Sequence, residues 1–436
     1  MRLISLILII LTLSIVSPKS KEEWKTRAIY QLITDRFARD DSSSDVNCDY
    51  SNYCGGTFQG IINKLDYIKG MGFDAILISP VVENAKGLYH GYHTTNFYNI
   101  NYHFGDENSL KNLVNTAHSK DIWVMVDVNA VSSAGRVGYD LRKIIPFNKE
   151  EHYTRRCDYC PLVLKVENGW VSTTLCNWVK ELVSKYNFDG VRFDTVPEQP
   201  KWFWNDFSKA AGVFQIGEVF NGNPAYVAPY QNHMDSVLNY PLYYKIKDSF
   251  CGSMYNLENY WQNDRNSFPD PSVLGVFVEN HDNPRFLNMC NDRKKFKNAS
   301  IFSIMYEGIP VYYYGGEQWY AGGADPGNRE PLWGNYNTNS EMYQALAVAN
   351  KVRKEQQIWN QKVVQRYADD VFYAFTRGNV LVCLTRGEGC SKLITYHEFA
   401  EGTRLCNAFD GNDCVTVSGG AININMGQDP KIYVKQ

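Results

Sequence analysis

Three short segments of the chain each place one carboxylic acid directly after an apolar, β-prone run. They are GVRFDT at 190–195 with Asp194, IGEVF at 216–220 with Glu218, and VENHDN at 278–283 with Asp282. If each run is a buried parallel strand, each acid lies at the carboxyl end of its strand, where the active sites of β/α barrels are found. Three acids that converge at that edge have the chemistry for cleaving a glycosidic bond, which requires a proton donor and a second carboxylate.

The elements around these acids follow the pattern of a closed barrel. From residue 28 to about residue 316, β-prone runs alternate with stretches of helical periodicity such as 61–69, 109–118, 178–186 and 299–307. Eight runs qualify as strands, the number that such a barrel needs: 28–33, 75–80, 123–129, 191–195, 214–219, 236–239, 274–278 and 310–314. We therefore expect an α/β fold, a (β/α)8 TIM barrel over residues 21–355.

Two regions depart from this alternation. Residues 130–176 separate the third and fourth strands, are rich in Tyr, Cys, Gly and basic residues, and lack helical periodicity. Such a long excursion indicates a small inserted subdomain on the catalytic side of the barrel. Beyond residue 355, short β-prone runs are separated by Gly and Asn, and they lie at 371–375, 380–385, 414–417 and 432–434. This pattern predicts an antiparallel β-sandwich domain at 356–436.

The first twenty residues have the features of a signal peptide. Arg2 precedes an apolar run at 3–16, and small serines follow that run. The run is shorter than the ~20 residues that span a membrane, and an uncleaved signal anchor is the alternative. No later stretch is long and apolar enough to cross a bilayer, so we expect no membrane partner after cleavage. The predicted location is outside the cell, with a lysosomal or digestive vacuole lumen as the alternative.

Charge and composition narrow the classes of partner. The 436 residues carry a formal net charge of −3 with a pI of about 6.3, whereas a nucleic-acid partner would require a basic surface. Aromatic residues make up 14% of the chain, which suits both sugar stacking and a large barrel core, so this number favours neither. We expect a monomer that binds no nucleic acid.

The cysteines and one sequon fit a secretory route. Eleven cysteines predict mainly disulfides in an oxidising compartment, and the odd total leaves at least one thiol unpaired within the chain. Cys48 and Cys54 form one expected pair, and the other cysteines fall into three groups. Cys383, Cys390, Cys406 and Cys414 form the first group and are expected to pair within it; Cys157, Cys160 and Cys176 form the second, and Cys251 and Cys290 are left over. His152 with the second group is a weak zinc alternative. Asn298 begins the Asn-Ala-Ser sequon of a predicted glycoprotein, but it lies in a predicted helical stretch, so a used and an unused site both stay open.

The chain resembles a known family in a series of ordered motifs. These motifs include AIYQLITDRFA, YHGY at 89–92, GVRFDTV, QIGEVFNGNPAYVAPYQNHMDSVLNYPLYY, LGVFVENHDNPRF and GIPVYYYGGEQWYAGGADPGNRE. Together they resemble the secreted α-amylases of the fungal type, within the α-amylase family of glycoside hydrolases. The resemblance extends from about residue 26 to residue 330, and the C-terminal domain fits more loosely.

The resemblance implies a role for each acid. Asp194 would be the nucleophile of a retaining mechanism, and Glu218 the general acid and then the general base. Asp282 would bind sugar hydroxyls and stabilise the positively charged transition state. Arg192 lies two residues before Asp194 and therefore on the same strand face, where its charge would keep Asp194 ionised. The structural alternative is an ion pair inside the barrel.

The resemblance also implies residues that bind the substrate. His281 would hydrogen-bond the reacting glucose, Tyr92 would stack on its ring beside His90, and Asp325 with Arg329 would bind the neighbouring glucose. Considered singly, His281 with Asp282 could cap a strand, Tyr92 could belong to the core, and Asp325 with Arg329 could be a solvated ion pair. Considered together, in order and within the motifs, these residues favour the functional interpretation.

Several positions depart from the family pattern. Val131 stands in place of an asparagine that ligates calcium, and Ser132 replaces a histidine that contacts the sugar. After the nucleophile, Pro197 and Glu198 replace a lysine and a histidine, although the backbone carbonyl of Glu198 could still serve as a ligand. Calcium takes six or more oxygens, so the family predicts calcium but the ligand count argues against it. We therefore predict no metal ligand, and the subdomain could be held by disulfides instead.

The expected function is endo-acting, retaining hydrolysis of α-1,4-glucosidic bonds in starch- or glycogen-type glucans. A glucan transglycosylase would use the same acids and differ in its products. A catalytically impaired glucan-binding paralogue is the alternative from another class, and Val131, Ser132 and Pro197 motivate it. Release of reducing ends, or binding of maltooligosaccharide without turnover, distinguishes the enzyme from the binding protein.

Overall fold

The computed structural model describes residues 18–41, 43, 47–130, 140–156 and 162–436. Its main body is a parallel barrel whose strands are β1 Ile29–Leu32, β2 Ala75–Ile78, β3 Trp123–Val128, β4 Gly190–Phe193, β5 Phe214–Gly217, β6 Ser236–Val237, β7 Gly275–Val276 and β8 Ile309–Tyr313. The strands pair in the order β6-β5-β4-β3-β2-β1-β8-β7, and a parallel bridge between Leu238 and Gly275 closes the ring. Each strand lies within two residues of its prediction, and the (β/α)8 fold is confirmed.

The strand alternation builds an apolar base and a polar top inside the barrel. Alternate residues such as Ile29, Trp123 and Phe214 belong to one buried cluster, into which Trp24 inserts from below. Further along the same strand faces come Asp127 on β3 and Arg192 on β4, which are paired in register. Because side chains alternate in a strand, Asp127 and Arg192 point into the barrel like the apolar residues before them, but they lie nearer the carboxyl end of the sheet.

The outward strand faces pack against helices. The α-helices are Lys21–Trp24, Thr34–Phe37, Phe58–Asn63, Leu65–Gly70, Glu107–Ser119, Gly169–Tyr186, Lys201–Ala211, Pro224–Val227, Tyr240–Phe250, Tyr255–Asn259, Phe286–Cys290, Arg293–Met305 and Glu341–Glu355. Local chemistry sets their ends: Asp106 and Ser109 form a capping box, and Gly212 ends its helix with a left-handed φ of 66°. The predicted helix at 61–69 is two helices that meet at Lys64.

The predicted insert lies partly outside the described residues. A short antiparallel hairpin, Tyr153–Arg155 with Leu162–Leu164, lies within it, and a second hairpin, Val82–Asn84 with Thr94–Ile100, precedes it in the chain. Residues 169–176, which we assigned to the insert, form the first turns of the helix Gly169–Tyr186. The side chain of Asn168 caps the start of this helix by accepting a hydrogen bond from the amide of Trp170. We did not predict the helix start because the first turns lack an apolar periodicity.

The C-terminal region is antiparallel, as predicted. Its strands are β9 Val363–Ala368, β10 Phe372–Arg377, β11 Val380–Thr385, β12 Cys390–Ile394, β13 Arg404–Asn407, β14 Asp410–Thr416, β15 Ile422–Met426 and β16 Lys431–Lys435. Six strands form a sheet in the order β9-β10-β11-β16-β13-β14, and β12 pairs with β15. A separate buried cluster that includes Phe372, Leu381, Ile422 and Tyr433 fills the space between them.

The cysteines pair in part as expected. Disulfides join Cys48 to Cys54, Cys251 to Cys290 and Cys406 to Cys414. Cys176, Cys383 and Cys390 are free thiols, so the expected pairing of the last two is wrong. The other two members of the possible zinc group, Cys157 and Cys160, lie outside the described residues.

The sequon asparagine is not available to a glycan. Asn298 is fully buried in the helix Arg293–Met305, its amide donates to the carbonyls of Lys294 and Gln428, and its oxygen accepts from the amide of Thr385. The folded chain therefore offers no acceptor there, contrary to the glycoprotein prediction. In the part of the chain that the structure covers, every helix is too short or too polar to cross a membrane.

Candidate active site

A cleft of about 580 Å³ opens at the carboxyl end of the barrel. Seven of the nine predicted site residues line it: His90, Tyr92, Asp194, Glu218, Asp282, Asp325 and Arg329. The other two, Arg192 and His281, are 1% and 3% exposed and lie behind the lining residues, in direct contact with them. The structure therefore brings all nine residues to one place, from strands and loops spread over 240 positions of the chain.

Arg192 joins both proposed catalytic carboxylates. Its Nη1 donates to Asp194 Oδ1 at 2.9 Å, and its Nη2 forms an ion pair with Glu218 Oε1 at 2.9 Å. The same Nη1 donates to Asp127 Oδ1 and Oδ2 at 2.9 and 2.7 Å. Because one planar guanidinium reaches all of these oxygens, the carboxyl groups of Asp194 and Glu218 are neighbours with fixed orientations.

The backbone between β4 and the next turn fixes the second acid. Thr195 has a left-handed conformation, with φ 44° and ψ 45°, which turns its amide toward β5. That amide donates to Glu218 Oε2 at 3.1 Å, and the amide of Val196 donates to the carbonyl of Glu218. A β-branched residue rarely adopts this conformation, so strain is stored beside the acids, as is common at functional sites.

A buried tyrosine completes the surroundings of Glu218. The Tyr240 hydroxyl donates to Glu218 Oε1 at 3.2 Å and accepts from Asn280 Nδ2 at 2.9 Å. Asn280 Oδ1 also accepts a hydrogen bond from the backbone amide of Asp282 at 3.1 Å. The side chain of Asn280 therefore links Glu218, through Tyr240, to Asp282. The positions of Glu218 and Asp282 are therefore coupled through protein groups alone.

Burial sets the electrostatics of this site. It raises the pKa of Asp194 well above its ordinary value, because a carboxylate loses water there, while the charge of Arg192 opposes the rise. Burial also raises the pKa of Asp127, and the hydrogen bonds from Arg192 and Tyr92 act in the opposite direction. Asp127 and Asp194 thus share the Arg192 cation in a buried site, and burial outweighs the attraction of that charge for both pKa values.

A line of hydrogen bonds orients the histidine and tyrosine. Gln31 Nε2 lies 3.1 Å from His281 Nδ1, and His281 Nε2 lies 2.8 Å from the hydroxyl of Tyr92, which donates to Asp127 Oδ2 at 2.7 Å. If the glutamine donates, the proton of His281 is on Nε2, the atom nearer the cleft. Burial lowers the pKa of His281 well below its ordinary value, with Arg192 and Arg329 adding to the effect, so the ring is neutral.

Asp282 is the exposed acid of the three. Its side chain is 31% exposed, and its Oδ2 lies 3.3 Å from His281 Nε2. Arg329 approaches Oδ1 at 3.5 Å and pairs with Asp325 at 3.1 Å, while the Asp325 side chain is 53% exposed. His90 stacks on Tyr92 with ring centroids 5.5 Å apart. These residues extend the cleft away from Glu218 and offer donors and acceptors to a polar ligand.

Sequence reasoning missed several residues that line the cleft. Phe220 and Tyr226 are 51% and 44% exposed and extend it on the Glu218 side, where Phe220 packs on Tyr240 with centroids 4.6 Å apart. His93 and Asn129 line it as well, and Asn129 Nδ2 donates to the carbonyl of Tyr92 at 2.8 Å. Phe220 and Tyr226 lie inside the matched run that begins at Gln215. Two aromatic residues that follow Glu218 closely in this run could have indicated a sugar-binding surface.

The positions that depart from the family pattern are only partly described. Val131 and Ser132 lie outside the described residues, whereas Pro197 and Glu198 line the cleft beside Asp194. Pro197 brings an apolar ring to a wall where the resemblance implies a lysine. The sugar contacts that these positions supply in the family therefore differ in this chain.

Comparisons with known proteins agree with this geometry. The family model of the α-amylase catalytic domain matches residues 31–160 and 148–370. Alpha-amylase 2 of Schwanniomyces occidentalis is 39% identical over 85% of this chain and 79% of its own length, and the alpha-amylase of Saccharomycopsis fibuligera is 38% identical over 95% and 92%. The structure of an alpha-amylase from Malbranchea cinnamomea superposes with a TM-score of 0.91 at 34% identity, covering 96% of this chain and 98% of that one. The chain belongs to the α-amylase family.

Proposed function

We propose that this enzyme is an endo-acting hydrolase of α-1,4-glucosidic bonds in starch- or glycogen-type glucans, and that it retains the anomeric configuration. The observation that carries the proposal is the Arg192 guanidinium, whose two terminal nitrogens contact Asp194 and Glu218 at 2.9 Å each. A retaining mechanism requires two carboxyl groups that are close and differently protonated. The shared cation holds these two carboxyl groups side by side in fixed orientations, as that mechanism needs.

In the first step, Glu218 protonates the glycosidic oxygen while Asp194 Oδ attacks the anomeric carbon. The bond to the leaving sugar breaks, and a glycosyl ester forms on Asp194. In the second step, Glu218 removes a proton from water, the water oxygen bonds to the anomeric carbon, and the Asp194 carboxylate departs. The amide of Thr195 and the hydroxyl of Tyr240 hold Glu218 in place through both steps.

The remaining residues bind and stabilise the reacting sugar. Asp282 lines the cleft and would accept from sugar hydroxyls, while His281 lies behind it and holds Asp282 and Tyr92 in place. The ring of Tyr92 is fixed by Asp127 and His281, so it offers a preorganised stacking face. Asp325 and Arg329 lie on one side and Phe220 with Tyr226 on the other, an arrangement that favours binding of a glucan chain along the cleft and cleavage within it.

The experiment is the release of reducing ends from soluble starch, combined with the anomeric configuration of the new end by NMR. We expect initial products in the α configuration. Glu218→Gln should lower the rate by about 10²–10⁴-fold, the range of general acid catalysis. Folded wild-type protein that binds maltooligosaccharide without releasing reducing ends would contradict the proposal and favour the glucan-binding alternative.

Transglycosylation is a second candidate that one observation favours. Phe220 is 51% exposed and packs on Tyr240, which contacts Glu218, so an aromatic face lies where an incoming sugar would compete with water. Products longer than the starting maltooligosaccharide would support this reaction. Phe220→Ala should then shift the ratio of longer to shorter products toward hydrolysis, whereas an unchanged ratio would contradict a role for this ring.

We also propose that the enzyme acts outside the cell. The apolar run at 3–16 supports this location, and so do three disulfides, which form in oxidising compartments. Amino-terminal sequencing of protein from the culture medium tests it, with a mature chain expected to begin near residue 21. A full-length chain retained in the cell would contradict it.

A further inference from the structure

Arg156 links the insert to the segment that follows β4. Its Nη2 donates to Gln199 Oε1 at 2.6 Å, its Nε donates to the carbonyl oxygen of Glu198 at 3.3 Å, and its Nη1 forms an ion pair with Glu167. Gln199 is 2% exposed and donates through Nε2 to the carbonyl of Leu164 at 2.9 Å. One guanidinium thus gathers three oxygens from two parts of the chain.

These oxygens include a donor that the family resemblance assigns to calcium. The resemblance implies that the ion takes the backbone carbonyl at position 198 and a side-chain oxygen at position 131, where this chain has Val131. The first donor already accepts from a cation, and the side chain of valine supplies no oxygen. A calcium ion at the Glu198 carbonyl would lie next to the Arg156 charge, and like charges a few ångströms apart repel each other. Among the described residues, the donors at this place therefore do not fit a divalent cation.

We propose that the Arg156 guanidinium replaces the family's calcium ion as the cross-link between the insert and the barrel. This inference rests on family membership and on the Arg156 contacts, and it does not require the proposed reaction. A guanidinium makes several directed hydrogen bonds and keeps its charge at all working pH values, so it can hold carbonyl and carboxylate oxygens together as a metal ion does.

The cross-link acts on the catalytic acids at one remove. Arg156 donates to the carbonyl of Glu198, which ends the short turn Val196–Glu198. That turn begins directly after Thr195, whose amide donates to Glu218. Holding the Glu198 carbonyl and the Gln199 side chain fixes the far end of this turn. Arg156 is therefore a positioning residue for Glu218, and it is outside contact with the reacting atoms.

The first test compares the purified wild-type protein in excess EDTA with the same protein in millimolar CaCl₂. We expect the same melting temperature and the same kcat in both. A lower melting temperature in EDTA that calcium restores would overturn the proposal, whether or not the protein hydrolyses starch. Failure of the proposed function is thus distinguishable, because the melting temperature does not depend on turnover.

The second test removes the guanidinium. Arg156→Ala should lower the melting temperature by several degrees and lower kcat by about 10-fold with a smaller change in KM, since it displaces an acid rather than a sugar-binding group. Millimolar guanidinium ion should restore part of both in this variant and neither in the wild type. Arg142→Ala is the matched control, because Arg142 lies in the same insert, pairs with Asp140 and is 84% exposed in its side chain.

A lysine variant and the comparison with Arg142→Ala complete the test. If Arg156→Ala does not fold, Arg156→Lys keeps the charge but loses the planar fork, and we expect it to fold with a lower melting temperature than the wild type; a lysine variant as stable as the wild type would overturn the proposal. If Arg156→Ala is as stable and as active as Arg142→Ala, the cross-link contributes nothing and the proposal is wrong.

Discussion

At the scale of single residues, the site combines a stable cation with destabilised acids. Arg192 is buried with three carboxyl partners, and removing water from Asp194 raises its pKa well above its ordinary value of 3.8. Between that ordinary value and the raised one, the unfolded chain has released a proton that the folded chain retains. The contribution of Asp194 to folding stability therefore falls as pH rises through this window.

Asp194→Asn should consequently abolish activity and stabilise the fold at neutral pH. The neutral amide recovers the unfolding free energy that burying the ionised carboxylate costs. The increase in melting temperature over wild type should be larger at pH 7 than at pH 4, as measured by calorimetry.

Asp282→Asn is the matched control for this prediction. The Asp282 side chain is 31% exposed, so the same substitution there removes a carboxylate that keeps contact with water, and it should stabilise the fold at pH 7 less than Asp194→Asn does. An equal offset at pH 4 and pH 7 for Asp194→Asn would show that burial of its charge does not limit stability.

The three acids that sequence reasoning found share one property. Asp194, Glu218 and Asp282 each follow an apolar run directly, so local pattern and strand geometry place them at one edge. Gln31 and Tyr240 were missed because their contacts with His281 and Glu218 depend on partners 250 and 22 positions away, which no local pattern reveals. The roles of the nine site residues remain predictions until variants are assayed.

At the scale of elements, one glycine allows the base of the barrel to close. Gly190 begins β4, and a Cβ there would lie 2.8 Å from Trp24 Cζ2 and 2.9 Å from Met125 Cε. Gly190→Ala should therefore displace the Trp24 plug and lower the unfolding free energy by about 1–3 kcal/mol, the range for overpacked cores. Thermal unfolding by circular dichroism measures it.

Gly169→Ala provides the comparison for this substitution. Gly169 is the first residue of its helix, and an added Cβ there meets no atom within 4 Å. Alanine should leave the stability unchanged or raise it slightly, because it loses less backbone entropy than glycine. A Gly190→Ala protein as stable as Gly169→Ala would show that the base of the barrel adapts without cost.

Element prediction succeeded where burial is strong and failed where it is weak. The eight barrel strands are nearly continuous apolar runs because both of their faces are covered. The C-terminal strand β14 has the sequence DGNDCVT and is exposed over most of its length, so only its last residues, within the run predicted at 414–417, were found. Half of the C-terminal strands were missed, whereas β10, β11 and β16 carry buried runs and were found.

At the scale of the whole molecule, the barrel and the C-terminal sheet are joined by buried polar contacts. Asn298 on a barrel helix bonds to the backbone of Thr385 and Gln428, and Lys294 with Lys297 pairs with Asp429 beside it. The sequence shows Asn298 only as a sequon, and its buried position became evident only when the two regions were placed together.

Asn298→Ala should therefore destabilise the molecule without changing its glycan content. It leaves the Thr385 amide and the Gln428 carbonyl without their partner, and each buried unpaired group costs about 1–3 kcal/mol. Ser300→Ala removes the sequon but keeps the amide, so it separates the two explanations. We expect the intact mass of secreted protein to show no glycan at Asn298 in wild type, and Asn298→Ala to melt well below Ser300→Ala. A glycan on wild-type Asn298, or equal melting of the two variants, would mean that this joint between barrel and sheet is open in the secreted protein.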